Sequence, residues 1–280
     1  MRGNFTYARN MIVDQDQPDY KYLYMNRTGQ ARYQTFGLVA AGLFRDQADI
    51  DAWPKQSFGD VEPGDIKYLD LNGDGVVDSY DVKPIGYTNV PEIVYGFGFS
   101  LQWKAFDFSA FFQGVGKRDW YPMVESGFFW GMYNRPYGYL PKVHTTDAVI
   151  MDYSTENCRV TNPGAYYTRR VTYAANRNVG PLTYENDYYL QDASYWRIKN
   201  ITIDYTFPQE LTRKIRIEKL KIYVSGDNIF THSPLFKHTD MFDPETIGFG
   251  EVMANLGEVQ NTGFELSLRT LNIDAKNFQW

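Results

Sequence analysis

From Tyr95 to Trp103 the chain alternates strictly: Tyr95, Phe97, Phe99, Leu101 and Trp103 share one parity, and Gly96, Gly98, Ser100 and Gln102 fill the other. Side chains of a strand point to opposite faces in turn, so this spacing predicts a strand with one aromatic face and one small, polar face. After Lys104 and Ala105 the pattern restarts, with Phe106, Phe108, Ala110 and Phe112 opposed by Asp107, Ser109, Phe111 and Gln113. So short a link makes the two segments an antiparallel hairpin. Alternation returns over 194–207, where Trp196 and Ile198 lead into Ile201, Ile203, Tyr205 and Phe207, opposed by Thr202, Asp204 and Thr206. The parity changes between Ile198 and Ile201, which predicts a bulge. Leu220, Ile222 and Val224 against Lys221, Tyr223 and Ser225 form a further strand, as do Phe264, Leu266 and Leu268 against Glu265, Ser267 and Arg269, and 272–280 reads as a last short one.

Elsewhere the pattern is weaker. Residues 2–13 carry Phe5, Tyr7, Met11 and Val13 on one parity and read as a strand, 32–43 as a second, and 47–53 as a single helical turn. Between about 114 and 189 little periodicity survives and Tyr, Pro and Asn are frequent. A structureless loop of that length is unusual in a compact soluble domain, but outer-membrane barrels carry long loops on their extracellular side. No run of ~18 apolar residues exists, so no helix is predicted to span a membrane; barrel strands show alternation instead. The pattern predicts an all-β chain of roughly eight to ten strands and fits part of an antiparallel transmembrane β-barrel with long extracellular loops as well as a soluble all-β domain.

Composition sharpens this picture. The 280 residues include 23 Tyr, 19 Phe and 6 Trp, many near the ends of the apolar faces, as interfacial girdles require. A formal net charge of −6 argues against a nucleic-acid partner. Cys158 stands alone, so no intrachain disulfide or cysteine metal site is available, and His144, His232 and His238 lie in no nucleophile motif. No catalytic residues are assigned and the chain is not read as an enzyme. Residues 1–20 lack a charged segment followed by an apolar one, so no signal peptide is visible and the chain reads as a piece whose own start lies elsewhere.

One stretch carries metal chemistry. In DLNGDGVVDSYD, residues 70–81, oxygen-bearing side chains stand at loop positions 1, 3, 5, 9 and 12 as Asp70, Asn72, Asp74, Asp78 and Asp81, with Gly75 at 6 and the Val76 carbonyl at 7. A hard cation takes six to eight oxygens, and glycine permits the turn that gathers them, so the expected cofactor is a structural Ca2+. Position 12 is usually Glu; the shorter Asp81 implies a tighter loop or one completed by water. The flanks are rich in Pro, Gly and β-branched residues, so the loop joins strands and not helices. The competing reading is an Asp/Asn/Gly turn whose side chains cap their own backbone. In the long loop, Trp120, Phe128, Trp130, Tyr133 and Tyr137 either contact a ligand by stacking or pack the loop on itself.

These motifs carry a resemblance. Residues 62–116, SYWRIKNITIDYTFP at 194–208, KLKIYVSGDNIFT at 219–231 and GEVQNTGFELSL at 257–268 resemble the C-terminal barrel region of the SusC/RagA family of TonB-dependent outer-membrane transporters. The resemblance implies a barrel in the outer membrane of a Gram-negative, Bacteroidetes-type bacterium, in contact with outer-membrane lipid. It implies import of oligosaccharides or peptides with a SusD-like surface lipoprotein. It also implies coupling to TonB, through a plug and coupling box that this sequence lacks. The order departs from the family at the end, because GEVQNTGFELSL normally precedes the calcium-type loop, and the two ends of the chain look like neighbours. A permuted or redesigned chain, a rearranged gene and a natural variant with a look-alike final hairpin all fit. The residues also leave open a redesigned barrel without transport activity, or a soluble calcium-stabilised carbohydrate-binding module.

Overall fold

Strict alternation over eleven or twelve residues gives strands that keep one side apolar along their whole length, and these strands build the main sheet. The computed structural model describes residues 1–120, 146–154, 158–168, 185–215, 217, 219–237 and 243–247, with the backbone of 274–275 and 278–279. Five long strands, β1 (Arg2–Tyr7), β2 (Ile93–Trp103), β3 (Phe106–Gly116), β4 (Tyr195–Thr206) and β5 (Lys221–His232), pair antiparallel in sequence order. Trp103 pairs with Phe106 across the two-residue hairpin, where Lys104 takes a positive φ of 54°. In an antiparallel meander each link closes at the end opposite the last. The links 104–105 and 207–220 therefore lie at one end of the sheet, while 8–92 and 117–194 leave from the other.

Register places the apolar parity of every strand on one face. Phe97 lies opposite Phe112, Leu101 opposite Phe108, Ile203 opposite Phe108 and Val224, and Tyr205 opposite Phe106 and Ile222. The rings form a ladder: Phe97 stacks on Phe112 at 4.8 Å, Phe99 tilts against Phe108 at 5.7 Å, and Phe106 meets Tyr205 at 4.8 Å. Such cross-strand pairs add to sheet stability beyond the area they cover. The bulge predicted between Ile198 and Ile201 is present: the register shifts between Ile198 and Asn200 on both sides of β4. Lys199 is the extra residue, and it lets Ile198 and Ile201, three apart, stay on the apolar face.

Among the described residues nothing covers the middle of this apolar face. Leu101, Trp103 and Val224 are 62%, 63% and 71% exposed. The buried core lies instead at the long-link end, in a layer of short pieces. Phe36–Leu38 pairs with Lys83–Pro84 and, in parallel, with Glu185–Asn186; Ala40–Leu43 pairs with Ile66–Tyr68. Leu38, Ile66, Tyr68, Val77, Tyr189 and Leu235 are fully or nearly fully buried there. Within it the buried Gln56 amide donates to the Ile66 carbonyl at 3.0 Å and accepts from the Tyr68 N–H at 2.7 Å, as a strand partner would. The helical turn at Gln47–Asp51 forms as expected, with the Asp46 carboxylate accepting from the Asp49 N–H at 2.8 Å.

Two expected strands change. The first ends at Tyr7 and not at residue 13: its pairing stops at Ile93, and after one further bond, from the Ala8 N–H to the Glu92 carbonyl at 2.8 Å, the two segments part. The segment 32–43 forms two short strands of the loop layer and no wall strand; Gly42, at φ +115°, kinks it where its pairing shifts register. The strand expected at 264–268 lies outside the described residues, and 274–275 pairs with 278–279.

If the apolar face meets lipid, Phe99→Arg or Phe108→Arg should cost about 2–4 kcal/mol at mid-membrane depth, while Ser100→Arg and Ser109→Arg on the other face should cost little. Reversible unfolding in detergent or lipid measures the difference; equal cost on both faces contradicts the assignment.

Candidate functional site

The loop 70–81 closes on itself through its acidic side chains. Asp70 accepts from the Gly73 N–H at 2.7 Å and from the Gly75 N–H at 2.8 Å, Asn72 from Asp74 at 2.8 Å, Asp74 from Val76 at 3.0 Å, and Asp78 from Tyr80 at 2.7 Å. Gly73 and Gly75 have φ of +74° and +87°, left-handed conformations that glycine adopts without cost. Asp81 is fully buried and braces both ends, accepting from Leu71 at 2.7 Å and from Asp78 at 2.8 Å. Burial pushes its carboxyl group up, against the backbone donors that hold it down. The Tyr24 hydroxyl, pushed up to about 12 by burial and then by the nearby Asp81 charge, donates to the Tyr80 carbonyl at 2.7 Å.

The donor set is all oxygen, the chemistry a hard cation needs, while the Asn72 side-chain N–H2 is buried and has no hydrogen-bond partner among the described residues. Yet the oxygens are turned toward backbone N–H groups. Among the described residues, no three His, Cys, Asp or Glu side chains converge as a metal-holding group. A bound ion would have to draw these carboxylates inward from their turn geometry.

The second polar constellation is on the sheet. Opposite the aromatic ladder, the other face carries Arg2, Asn4, Gly98, Ser100, Ser109, Thr202 and Ser225, and beside them a cavity of about 580 Å3 reaches Asn200 and Phe111. At the short-link end Asp107 and Asp204 face each other, and Lys221 relieves their repulsion at 3.6 and 3.0 Å. At the long-link end Gln113, Arg197 and Thr231 form one row across β3, β4 and β5. Arg197 is nearly buried, lies over the Tyr195 ring at 5.8 Å, and is held by the segment 243–245: it reaches Asp243 at 2.6 Å and also binds Glu245. Lys199, displaced inward by the bulge, meets Glu245 at 3.0 Å, and the Gln113 amide donates to the same carboxylate at 2.8 Å. Arg118 donates to the Asn89 carbonyl at 2.9 Å, to that of Pro244 at 2.8 Å and to that of Ile247.

Of the aromatic positions read from the sequence, Trp120 is only 7% exposed and belongs to the loop-layer core, so little of its ring is open to a ligand. Phe128, Trp130, Tyr133 and Tyr137 lie outside the described residues. The cluster around Arg197 went unread in the sequence. Parity alone puts Gln113 and Arg197 on the polar face, but nothing local signals that Asp243 and Glu245, some 46 residues on, close against them.

No family model matches the chain. It is 27% identical to the TonB-dependent receptor P26 of Formosa agariphila over 238 residues, 85% of this chain and 22% of that protein. With the TonB-dependent receptor P3 of the same organism it shares 29% identity over 208 residues, 73% of this chain and 18% of that protein. The chain thus spans about a fifth of the length of the curated relatives it matches. In fold it is similar to a chain of the RagAB peptide transporter, with a TM-score of 0.50 and 17% identity, over 82% of this chain and 23% of that one. These relatives are named as receptors and a transporter, none as an enzyme. Sequence likeness, fold likeness and motifs coincide: the chain resembles a region of TonB-dependent receptors and shares its fold with part of a RagAB transporter chain.

Proposed function

We propose that this chain forms part of the wall and outward loop layer of an importer in the outer membrane of a Gram-negative bacterium, one that takes up oligosaccharides or peptides beneath a SusD-like lipoprotein. One observation carries the reading: a continuous apolar face backs a continuous polar face over strands of eleven and twelve residues. A tilted strand needs about 9–11 residues to cross a bilayer, so lipid meets the first face and water with solute the second. The short links then lie on the periplasmic side, and the loop layer lies outside, where a capping lipoprotein would rest. The fold neighbour is described as a peptide transporter, which weighs toward peptides. Energy from TonB would enter through other regions of a full-length receptor.

The test is solubility and gel migration. The purified chain should require detergent and should migrate faster before boiling than after. A monodisperse sample without detergent contradicts the barrel and favours a soluble calcium-stabilised module.

We also propose that the 70–81 loop takes a structural Ca2+ through Asp70, Asn72, Asp74, Asp78, Asp81 and the Val76 carbonyl, supported by the spacing of its oxygens. Elemental analysis of the purified chain should find about one Ca2+ per molecule. The double variant Asp74→Ala, Asp78→Ala should lose it, and unchanged ion content in that variant contradicts the site.

A further inference from the structure

The contact between β4 and the segment 243–247 has the form of a receptor holding a ligand. Arg197 presents both terminal nitrogens to two carboxylates, Asp243 and Glu245, which stand two residues apart with Pro244 between them. Lys199 and Gln113 complete the grip on Glu245. Two features separate the Glu245 carboxylate from the backbone that carries it. Pro244 and Ile247 are buried and Arg118 binds the carbonyls of both, so the main chain is held without help from the Glu245 side chain, while the Asp243 carboxylate also accepts from the Glu245 N–H at 2.9 Å. The acids themselves are about a third exposed, at 30% each, whereas Arg197 is 8% exposed. Charge is also unbalanced: Arg197, Lys199 and Arg118 gather around two carboxylates, and among the described residues no carboxylate pairs with Arg118. A desolvated guanidinium whose two terminal nitrogens each meet a different carboxylate selects paired anionic groups.

We propose that Arg197, Lys199 and Gln113 form a subsite for acidic peptides bearing two carboxylates two residues apart, and that Asp243 and Glu245 occupy it as an internal stand-in until such a peptide exchanges with them. The inference rests on reading the polar face as the lumen, since that is what opens this end of the sheet to incoming solute. A site filled by its own chain binds an external ligand with an affinity reduced by the fraction of time it is free. Emptying it should therefore strengthen binding.

The experiment is fluorescence polarisation on the full chain in detergent, with a labelled Ala-Asp-Pro-Glu-Ala peptide and its amide analogue Ala-Asn-Pro-Gln-Ala. The variant Asp243→Asn, Glu245→Gln should bind the acidic peptide at least about tenfold more tightly than the unaltered chain. Adding Arg197→Gln and Lys199→Gln should abolish that binding, and the amide peptide should bind none of the variants. Glu245→Gln alone keeps the Asp243 carboxylate as acceptor for the Glu245 N–H, so it serves should the double variant not fold; it should shift affinity in the same direction. No gain in a folded variant, equal binding of the amide peptide, or binding of trigalacturonate in place of the peptide would overturn the proposal. Heat-modifiable migration recorded on the same samples shows separately whether the barrel reading has failed.

Discussion

Everything in this chain depends on keeping two chemistries apart on opposite sides of one antiparallel sheet. The ladder satisfies the backbone, so the faces are free to differ, and the period of two makes the separation automatic as long as the register holds. A single inserted residue would turn every later side chain to the wrong side. At Lys199 that hazard is met with a bulge, which returns Ile201, Ile203 and Tyr205 to the aromatic ladder and sends the lysine to the polar side. The same defect that protects the apolar face thus supplies a cation to the cluster that holds Glu245.

The hydrophobic core is displaced as a consequence. A sheet with one face open to an apolar solvent needs no internal packing on that face, and the deeply buried residues gather instead where the long links fold over its end. There Tyr68 is gripped from several directions: its backbone pairs with Gln56, its carbonyl accepts from the Trp53 indole at 2.7 Å, and its hydroxyl accepts from the Asn186 amide at 3.1 Å. The calcium-type loop belongs to this layer, with Val77 in the core and the acidic turn at the rim. Segments far apart in sequence, 36–43, 66–77 and 185–189, become one body in this way, seated on the end of the wall.

Much of the wall was legible in the sequence because its signals are local. The hairpin 95–112, the parity of 220–225 and the bulge after Ile198 follow from neighbouring residues alone, and the structure reproduces each. The loop layer was not legible, because its partners are distant. The stretch 32–43 has the composition of a wall strand, but its ladder is completed by Lys83–Pro84, Glu185–Asn186 and Ile66–Tyr68, contacts that no local period encodes. Likewise the end of β1 is set by where the opposing strand begins, at Ile93, and not by its own residues. Of the candidate site, the turn-forming half of 70–81 was readable residue by residue. The Arg197 cluster was not, since Asp243 and Glu245 lie in a segment without periodicity.

The central claim is that alternate residues of the wall face lipid and water. Single cysteines placed in turn from Phe97 to Leu101 and from Thr202 to Tyr205, each carrying a nitroxide label, would be measured in bilayers against a lipid-soluble and a water-soluble relaxant. The account predicts that accessibility to the lipid-soluble relaxant peaks at Phe97, Phe99, Leu101, Ile203 and Tyr205, and that the intervening positions respond to the aqueous one. A profile without period two, or water access on both faces, would contradict it.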